Sequence, residues 1–174
     1  MEHLNIEIKA HCCDHERIRF ILKENGAKFV GVDHQIDTYF NVNNGRLKLR
    51  EGNIENHLIH YSREDIAGPK QSNITLFESD PNSALKDILI KSLSVLIVVD
   101  KKREIYWIDN VKFHLDKVEG LGTFIEIEAI SENLDIGREQ LLAQCNHYLR
   151  LFGINDSDLL SISYSDMLLN KKLL

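Results

Sequence analysis

Short apolar and polar alternations, each bounded by turn residues, recur along most of the chain. They cover Leu4 to Ala10, Ile36 to Phe40, Arg46 to Arg50, Leu58 to Arg63, Ile74 to Phe77, Val111 to Asp116 and Phe124 to Ile130. Period-two alternation predicts strands buried on one face, because successive side chains point to opposite sides. Between the segments stand Asn43-Asn44-Gly45, Glu51-Gly52-Asn53, Asp109-Asn110 and Gly120-Leu121-Gly122, which suit hairpins better than long crossovers. A mostly antiparallel sheet is expected. Helical spacing interrupts it. Asp14 caps a helix carrying Ile18, Ile21 and Leu22 and ending at Asn25-Gly26, and Asp80-Pro81 starts a second with Leu85, Ile88 and Leu89. A third and longer one uses Leu141, Leu142, Cys145, Tyr148, Leu149 and Phe152 before Gly153, and a short one covers Tyr164 to Leu169.

Charge segregates by strand face. Leu4, Ile6 and Ile8 oppose Asn5, Glu7 and Lys9, and Arg46, Lys48 and Arg50 oppose Leu47 and Leu49. Lys101 pairs with Arg103 in the same way, while Lys112, His114 and Asp116 oppose Val111, Phe113 and Leu115. Glu126 and Glu128 likewise oppose Ile125 and Ile127. Taken alone, this periodicity favours a sheet with one face on helices and the other solvated. The charges, however, are also sorted by sign: one strand offers cations without an anion and another carboxylates without a cation. Solvated faces usually mix signs. A sheet curled with its charged face inward would set cations against carboxylates, which fits a polyphosphate bridged to a divalent metal.

Composition narrows the classes. The chain has 174 residues, with 21 Lys and Arg against 27 Asp and Glu and 43% apolar residues, which reads as one globular domain spanning 1–174. Its net charge of −6, without a basic patch interleaved with aromatics, argues against nucleic-acid binding. The longest aliphatic run, Val95 to Val99, is far too short for a bilayer, and charges occupy the place of a signal-peptide core. A cytoplasmic protein with no membrane partner is expected, its cysteines Cys12, Cys13 and Cys145 reduced.

Six stretches in order resemble the CYTH, or triphosphate tunnel metalloenzyme, family. Asn5-Ile6-Glu7-Ile8-Lys9 is similar to the family's ExExK signature, with asparagine at its first acidic position, and Gln35 to Phe40 resembles its third-strand pattern. Arg46 to Glu51 is similar to its basic fourth strand, with Arg63 on the next, and Lys101 to Tyr106 to its KxR strand. Leu115 to Glu128 resembles the D-x-V-x-x-LG-x-F-x-E-I-E block, and Ser163 to Leu168 the SYxDLL motif. The resemblance implies an α+β fold, an eight-stranded antiparallel barrel forming a tunnel with helices outside. By the same resemblance Glu7, Glu126, Glu128 and Asp116 bind Mg²⁺ or Mn²⁺. Lys48, Arg50, Arg63, Lys101 and Arg103 hold a nucleoside or organic triphosphate together with Lys9, and Lys9, Arg63 and Asp116 are the catalytic residues. Asn5 removes a charged oxygen ligand, which lowers affinity for a metal. Chain length, the Gly120 to Phe124 turn and the KxR spacing look more like the short class IV adenylyl cyclases than the thiamine or inorganic triphosphatases. A weakly active binding module and a homodimer also belong among the expectations.

Other residues weigh less. His11, Cys13 and His15 alternate near a strand end, but no spaced second pair completes a zinc set. His114 shares the parity of Asp116 and reads either as a proton acceptor or as a structural histidine. Tyr39, Tyr106 and Tyr164 read as packing residues with one satisfied hydroxyl, and Trp107 is the single tryptophan.

Overall fold

A computed structural model describes residues 3–63, 66–131 and 135–173. Its strands are β1 (His3–His11), β2 (Lys28–Phe40), β3 (Arg46–Glu51), β4 (His57–Arg63), β5 (Lys70–Glu78), β6 (Val95–Ile108), β7 (Val111–Val118) and β8 (Gly122–Ser131). Its helices are α1 (His15–Glu24), α2 (Leu85–Ser92), α3 (Arg138–Phe152) and α4 (Tyr164–Lys172). The strands close into a barrel in the order β1-β5-β4-β3-β2-β6-β7-β8, every pair antiparallel. Closure is visible at Glu7, which lies opposite Lys70 on one side and Glu128 on the other, so β1 has no open edge.

Parity decides which face each helix covers. Ile6, Ile8, Phe113, Leu115, Ile125 and Ile127 point outward and pack with Ile18 and Leu22 of α1 and Leu141, Cys145 and Phe152 of α3. Helix α2 covers Phe40 and Leu49 with Leu89. The apolar faces are therefore on the outside, under helices, and the charged faces line the interior. Helix α4 starts at a capping box, Ser163 accepting from the Asp166 amide at 3.2 Å and Asp166 from the Ser163 amide at 3.1 Å. Its first residue, Tyr164, joins Phe124, Val118 and Tyr39 at one end of the barrel and so closes that end. Among the described residues no helix is long and apolar enough to cross a membrane.

Two elements depart from the sequence expectation. Strand β2 begins at Lys28 rather than Ile36: its register with β6 runs unbroken from Gly31 to Tyr39, but polar Asp33 and Gln35 point inward and Val32 and His34 are exposed, so residues 32–35 carry no buried apolar face. Helix α2 begins at Leu85, not at Pro81: Asp80 accepts from the Asn82 amide at 2.9 Å and closes a turn before the helix. The Asp109-Asn110 turn forms as expected, Asp109 at φ 49° and Ile108 facing Val111.

Leu141 is fully buried between α3 and the barrel. Leu141→Ala is expected to cost about 2–5 kcal/mol through the cavity it leaves, read as a lower denaturant midpoint at unchanged slope.

Candidate active site

The barrel holds a cavity of about 300 Å³, at the small end of the range for ligand sites. Alternate residues of β3, β6 and β1 bring Lys48, Arg50, Lys101, Arg103 and Lys9 to its wall. Asp37 of β2 lies directly across from Arg50 and gathers the cations. It accepts from Arg50 Nε at 2.8 Å and Nη2 at 3.0 Å, from Lys48 at 2.9 Å and from Lys101 at 2.7 Å. Burial pushes the Asp37 carboxyl up, but Arg50, Lys101 and Lys48 together hold it well below the usual carboxylate range. Lys101 moves the other way from an ordinary lysine: burial, with Arg50, Arg103 and Lys48 nearby, outweighs Asp37 and depresses it well below its usual value. Asp37 alone serves Lys48 and Lys101, and Arg50 adds only a 3.2 Å contact to Glu55, so cations outnumber carboxylates on this wall.

The acidic side stands on β8, β7 and β1. Glu126 takes Lys9 at 3.1 Å and Arg103 at 2.7 Å, and His114 Nδ1 lies 3.3 Å from Glu126 and 3.7 Å from Glu128. Burial raises the Glu126 carboxyl, yet Lys9, Arg103 and His114 hold it well below its ordinary value. Burial, aided by Arg103, depresses His114 below the ordinary imidazole value against the opposing pull of Glu128 and Glu126. Ligand atoms of His114, Glu126 and Glu128 lie within 4.8 Å of one another, and Glu7 faces Glu128 in register. Asn5 Oδ1 is buried without a hydrogen-bond partner on the same inward face as Glu7. A set of carboxylates, one imidazole and an orphaned carbonyl oxygen suits a divalent cation such as Mg²⁺ or Mn²⁺.

Asp116 sits differently from the residues grouped with it by sequence. It is fully buried behind Arg103, which donates Nε at 2.7 Å and Nη2 at 2.6 Å to its two oxygens, and Tyr164 donates its hydroxyl at 2.8 Å. Burial raises the Asp116 carboxyl, but Arg103 lowers it further, leaving it ionised and engaged. Its geometry orients Arg103 toward Glu126. The side chain of Arg63 lies outside the described residues, although its backbone pairs with Ser72. His11, Cys13 and His15 do not converge, and the His15 ring bonds Phe124 O at 3.0 Å.

Residues without a role in the sequence reading also reach the site. Glu55, from the loop between β3 and β4, accepts from Arg50 at 3.2 Å and from Lys112. A loop has no period, so only the local excess of charge could have pointed to it. Trp107 has the inward parity of Lys101 and Arg103, whereas Tyr106 faces out and bonds Glu104 at 2.9 Å. Trp107, Ile130 and half-exposed Leu76 are the less buried apolar residues of the cavity wall, whereas Ile74 packs against the cluster that contains Tyr164.

Asp37→Asn leaves Lys48, Arg50 and Lys101 without their shared carboxylate and is expected to cost about 3–5 kcal/mol. Because the folded Asp37 carboxyl lies below its unfolded value of 3.8, its stabilisation is complete above that pH and is lost as pH falls. Chemical denaturation between pH 6 and about pH 3 should therefore show a shallower acid-side loss in Asp37→Asn than in the wild type.

Comparisons with known proteins agree with this architecture. The CYTH domain family matches residues 3–151. A protein of Methanocaldococcus jannaschii named putative adenylate cyclase is 25% identical over 178 residues, covering 94% of this chain and 98% of its own. A solved structure from Pyrococcus horikoshii superposes with TM-score 0.77 at 28% identity, over 95% of this chain and 98% of that one. One from Hippeastrum, described as a putative adenylyl cyclase with a dominant triphosphatase activity, gives TM-score 0.64 at 16% identity, over 99% and 96% of the two chains. With the family matching most of its length and the closed barrel carrying the family's charged interior, the chain belongs to the CYTH domain family.

Proposed function

We propose that the protein is a metal-dependent enzyme acting on triphosphates and, within that class, an adenylyl cyclase converting ATP to cyclic AMP and pyrophosphate. The observation that carries the reading is the cavity wall on which Lys48, Arg50 and Lys101 share Asp37 alone among the described carboxylates within hydrogen-bond reach of all three. A wall poor in negative charge, buried and preorganised, is what a phosphate chain needs, because phosphoryl transfer is catalysed mainly by positioning and charge neutralisation. The name of the Methanocaldococcus relative points the same way.

In this reading Lys48, Arg50 and Lys101 hold the phosphates, and Asp116 is a positioning residue that fixes the plane of Arg103. Lys9 lies between Glu126 and the face of Tyr164, 4.1 Å from the ring centroid, and reaches the reacting phosphate. Glu126 and Glu128, with Glu7 and the Asn5 carbonyl, would hold Mg²⁺ or Mn²⁺, which would supply charge neutralisation at phosphate oxygens. In cyclisation the ribose 3′-oxygen bonds to the α-phosphorus while the α–β bridging bond breaks. Pyrophosphate departs with the electron pair onto the cationic wall. His114, with Nδ1 engaged by Glu126, would receive the hydroxyl proton on Nε2.

A triphosphatase uses the same wall with water attacking the terminal phosphate. The activity described for the Hippeastrum barrel favours keeping it as the second reading. Product analysis separates the two. With ATP and Mn²⁺, the wild type should form cyclic AMP and pyrophosphate, and Glu126→Ala should reduce the rate by at least about 100-fold. Orthophosphate as the main product from ATP, thiamine triphosphate or tripolyphosphate transfers the assignment to the triphosphatase.

Asn5 sets the metal site's charge. Asn5→Glu is expected to tighten Mn²⁺ binding about tenfold by calorimetry and to raise turnover. It should also lower the stability of the metal-free protein, since it buries another carboxylate. Unchanged Mn²⁺ affinity would remove position 5 from the ligand set. Binding of ATP without turnover until glutamate is restored would identify the natural chain as a binding module.

A further inference from the structure

The loop between β3 and β4 is built around one buried carboxylate and delivers another to the cavity. The last pair of β3 with β2 is Glu51 with Ile36, so inward-facing Asp33 and Gln35 of β2 have no β3 neighbour. Residues 52–56 fold over them instead. Asp33 is fully buried and accepts from the amides of Ile54 at 2.9 Å and Glu55 at 3.0 Å. A Cβ at position 52 would lie 2.7 Å from both Asp33 oxygens, so glycine is what permits this approach. Gln35 Nε2 then donates both to Asp33 Oδ2 at 2.7 Å and to Glu55 Oε2 at 3.1 Å. Asp33 thus fixes the backbone of Glu55 directly and its side chain through Gln35.

The place to which the loop brings Glu55 is an anion position. Its carboxylate accepts from Arg50 Nη1 at 3.2 Å and from Lys112, bridging β3 and β7, which β2 and β6 separate in the sheet. Burial raises the Glu55 carboxyl, but Lys112 and Arg50 hold it far below its ordinary value. Arg50 gives Nε and Nη2 to Asp37, so Glu55 takes the edge that remains. A phosphate oxygen would be bound by the same donors. Depth along the cavity separates this position from the others. Lys48 and Lys101 share Asp37, and Lys48 lies 5.5 Å from the ring of Tyr39, in the cluster that contains Tyr164. Lys112 stands on the face of β7 that carries Asp116, the acceptor of the Tyr164 hydroxyl, but four residues away, about 13 Å along the strand. The inner cations outnumber their carboxylate, whereas the outer pair, Arg50 and Lys112, already holds Glu55.

We propose that Glu55 is a specificity-determining residue that occupies the position a further phosphate would take, so that the cavity accepts a triphosphate and gains nothing from a longer chain. The inference rests on the triphosphate reading above. A fourth phosphate has either to displace a carboxylate held by Gln35, Arg50 and Lys112 or to lie beside it against like-charge repulsion.

Tripolyphosphate and linear tetrapolyphosphate are titrated by calorimetry, in excess Mg²⁺, into the wild type, Glu55→Gln and Glu55→Gln combined with Lys112→Ala. The α,β-methylene analogue of ATP is titrated into the wild type as well. The wild type should bind tetrapolyphosphate no more than about threefold more tightly than tripolyphosphate. Glu55→Gln leaves Arg50 Nη1 and Lys112 for the ligand and should tighten tetrapolyphosphate about tenfold, with tripolyphosphate changed by less than about threefold. Adding Lys112→Ala should remove that gain. A larger preference of the wild type for tetrapolyphosphate overturns the proposal without any variant, so the test survives a substitution that disturbs folding. An equal change for both chains in Glu55→Gln, or a gain that persists without Lys112, overturns it while the triphosphate reading stands. Binding of the ATP analogue alone does the same. Failure of the wild type to bind any of the three overturns the proposal and the triphosphate reading together.

Discussion

Asp37 is the charge on which the interior depends. Lys48, Arg50 and Lys101 come from two strands that flank β2 on either side, and each donates to this one carboxylate. Three buried cations without a common acceptor would face an uncompensated desolvation cost of several kcal/mol each, so the β3-β2-β6 section of the barrel is held together by the same contact that gathers its charge. Cations outnumber carboxylates on this section, and burial depresses Lys101 despite its contact with Asp37. An anionic ligand entering the cavity supplies what the protein leaves out, and binding then also stabilises the fold.

A second junction forms at Glu126, where the cationic and acidic sides meet. Lys9 and Arg103 reach it from one direction and His114 from the other. Arg103 can serve there only because Asp116 fixes its guanidinium, and Asp116 in turn accepts from Tyr164 of the C-terminal helix. Closing one end of the barrel and aligning an arginine deep inside it are thus consequences of a single tyrosine. This explains why a motif that follows the last strand by a whole helix belongs to the site.

Much of this was legible in the sequence, for definite reasons. Lys48, Arg50, Lys101, Arg103, Glu126 and Glu128 share strand parity, and parity fixes a face without any tertiary information. The direction of curl did not follow from parity. It was carried by the family resemblance and is realised in the pairing of β1 with both β5 and β8. Asp37 lay in plain view within Gln35 to Phe40, but its importance comes from neighbours on β3 and β6, and cross-strand register is invisible along one strand. Glu55 sits in a loop without period. The first half of β2 gives no apolar alternation because Asp33 and Gln35 face inward and Val32 and His34 face solvent, and Asp80-Pro81 makes a turn rather than a helix start, since Asp80 satisfies a nearer amide.

The inward and outward faces also explain how a barrel full of charge remains stable. Its apolar residues have to be buried somewhere, and with the interior occupied by ion pairs they are buried outside, beneath α1, α2 and α3. The helices are therefore the hydrophobic core's other half, and the barrel wall separates two environments with opposite requirements. Substitutions on the outward parity, such as at Leu141's neighbours Ile6 and Phe113, act on stability by changing packing. Those on the inward parity change the balance of charge, so their effect on stability depends on what anion or cation is bound. The β4-β5 section obeys neither rule, being apolar and inward. There Ile59, Ile74 and Leu76 line the cavity beside Ser72, His57 and Tyr61, so a substitution in this section acts on packing and on the polarity of the cavity together.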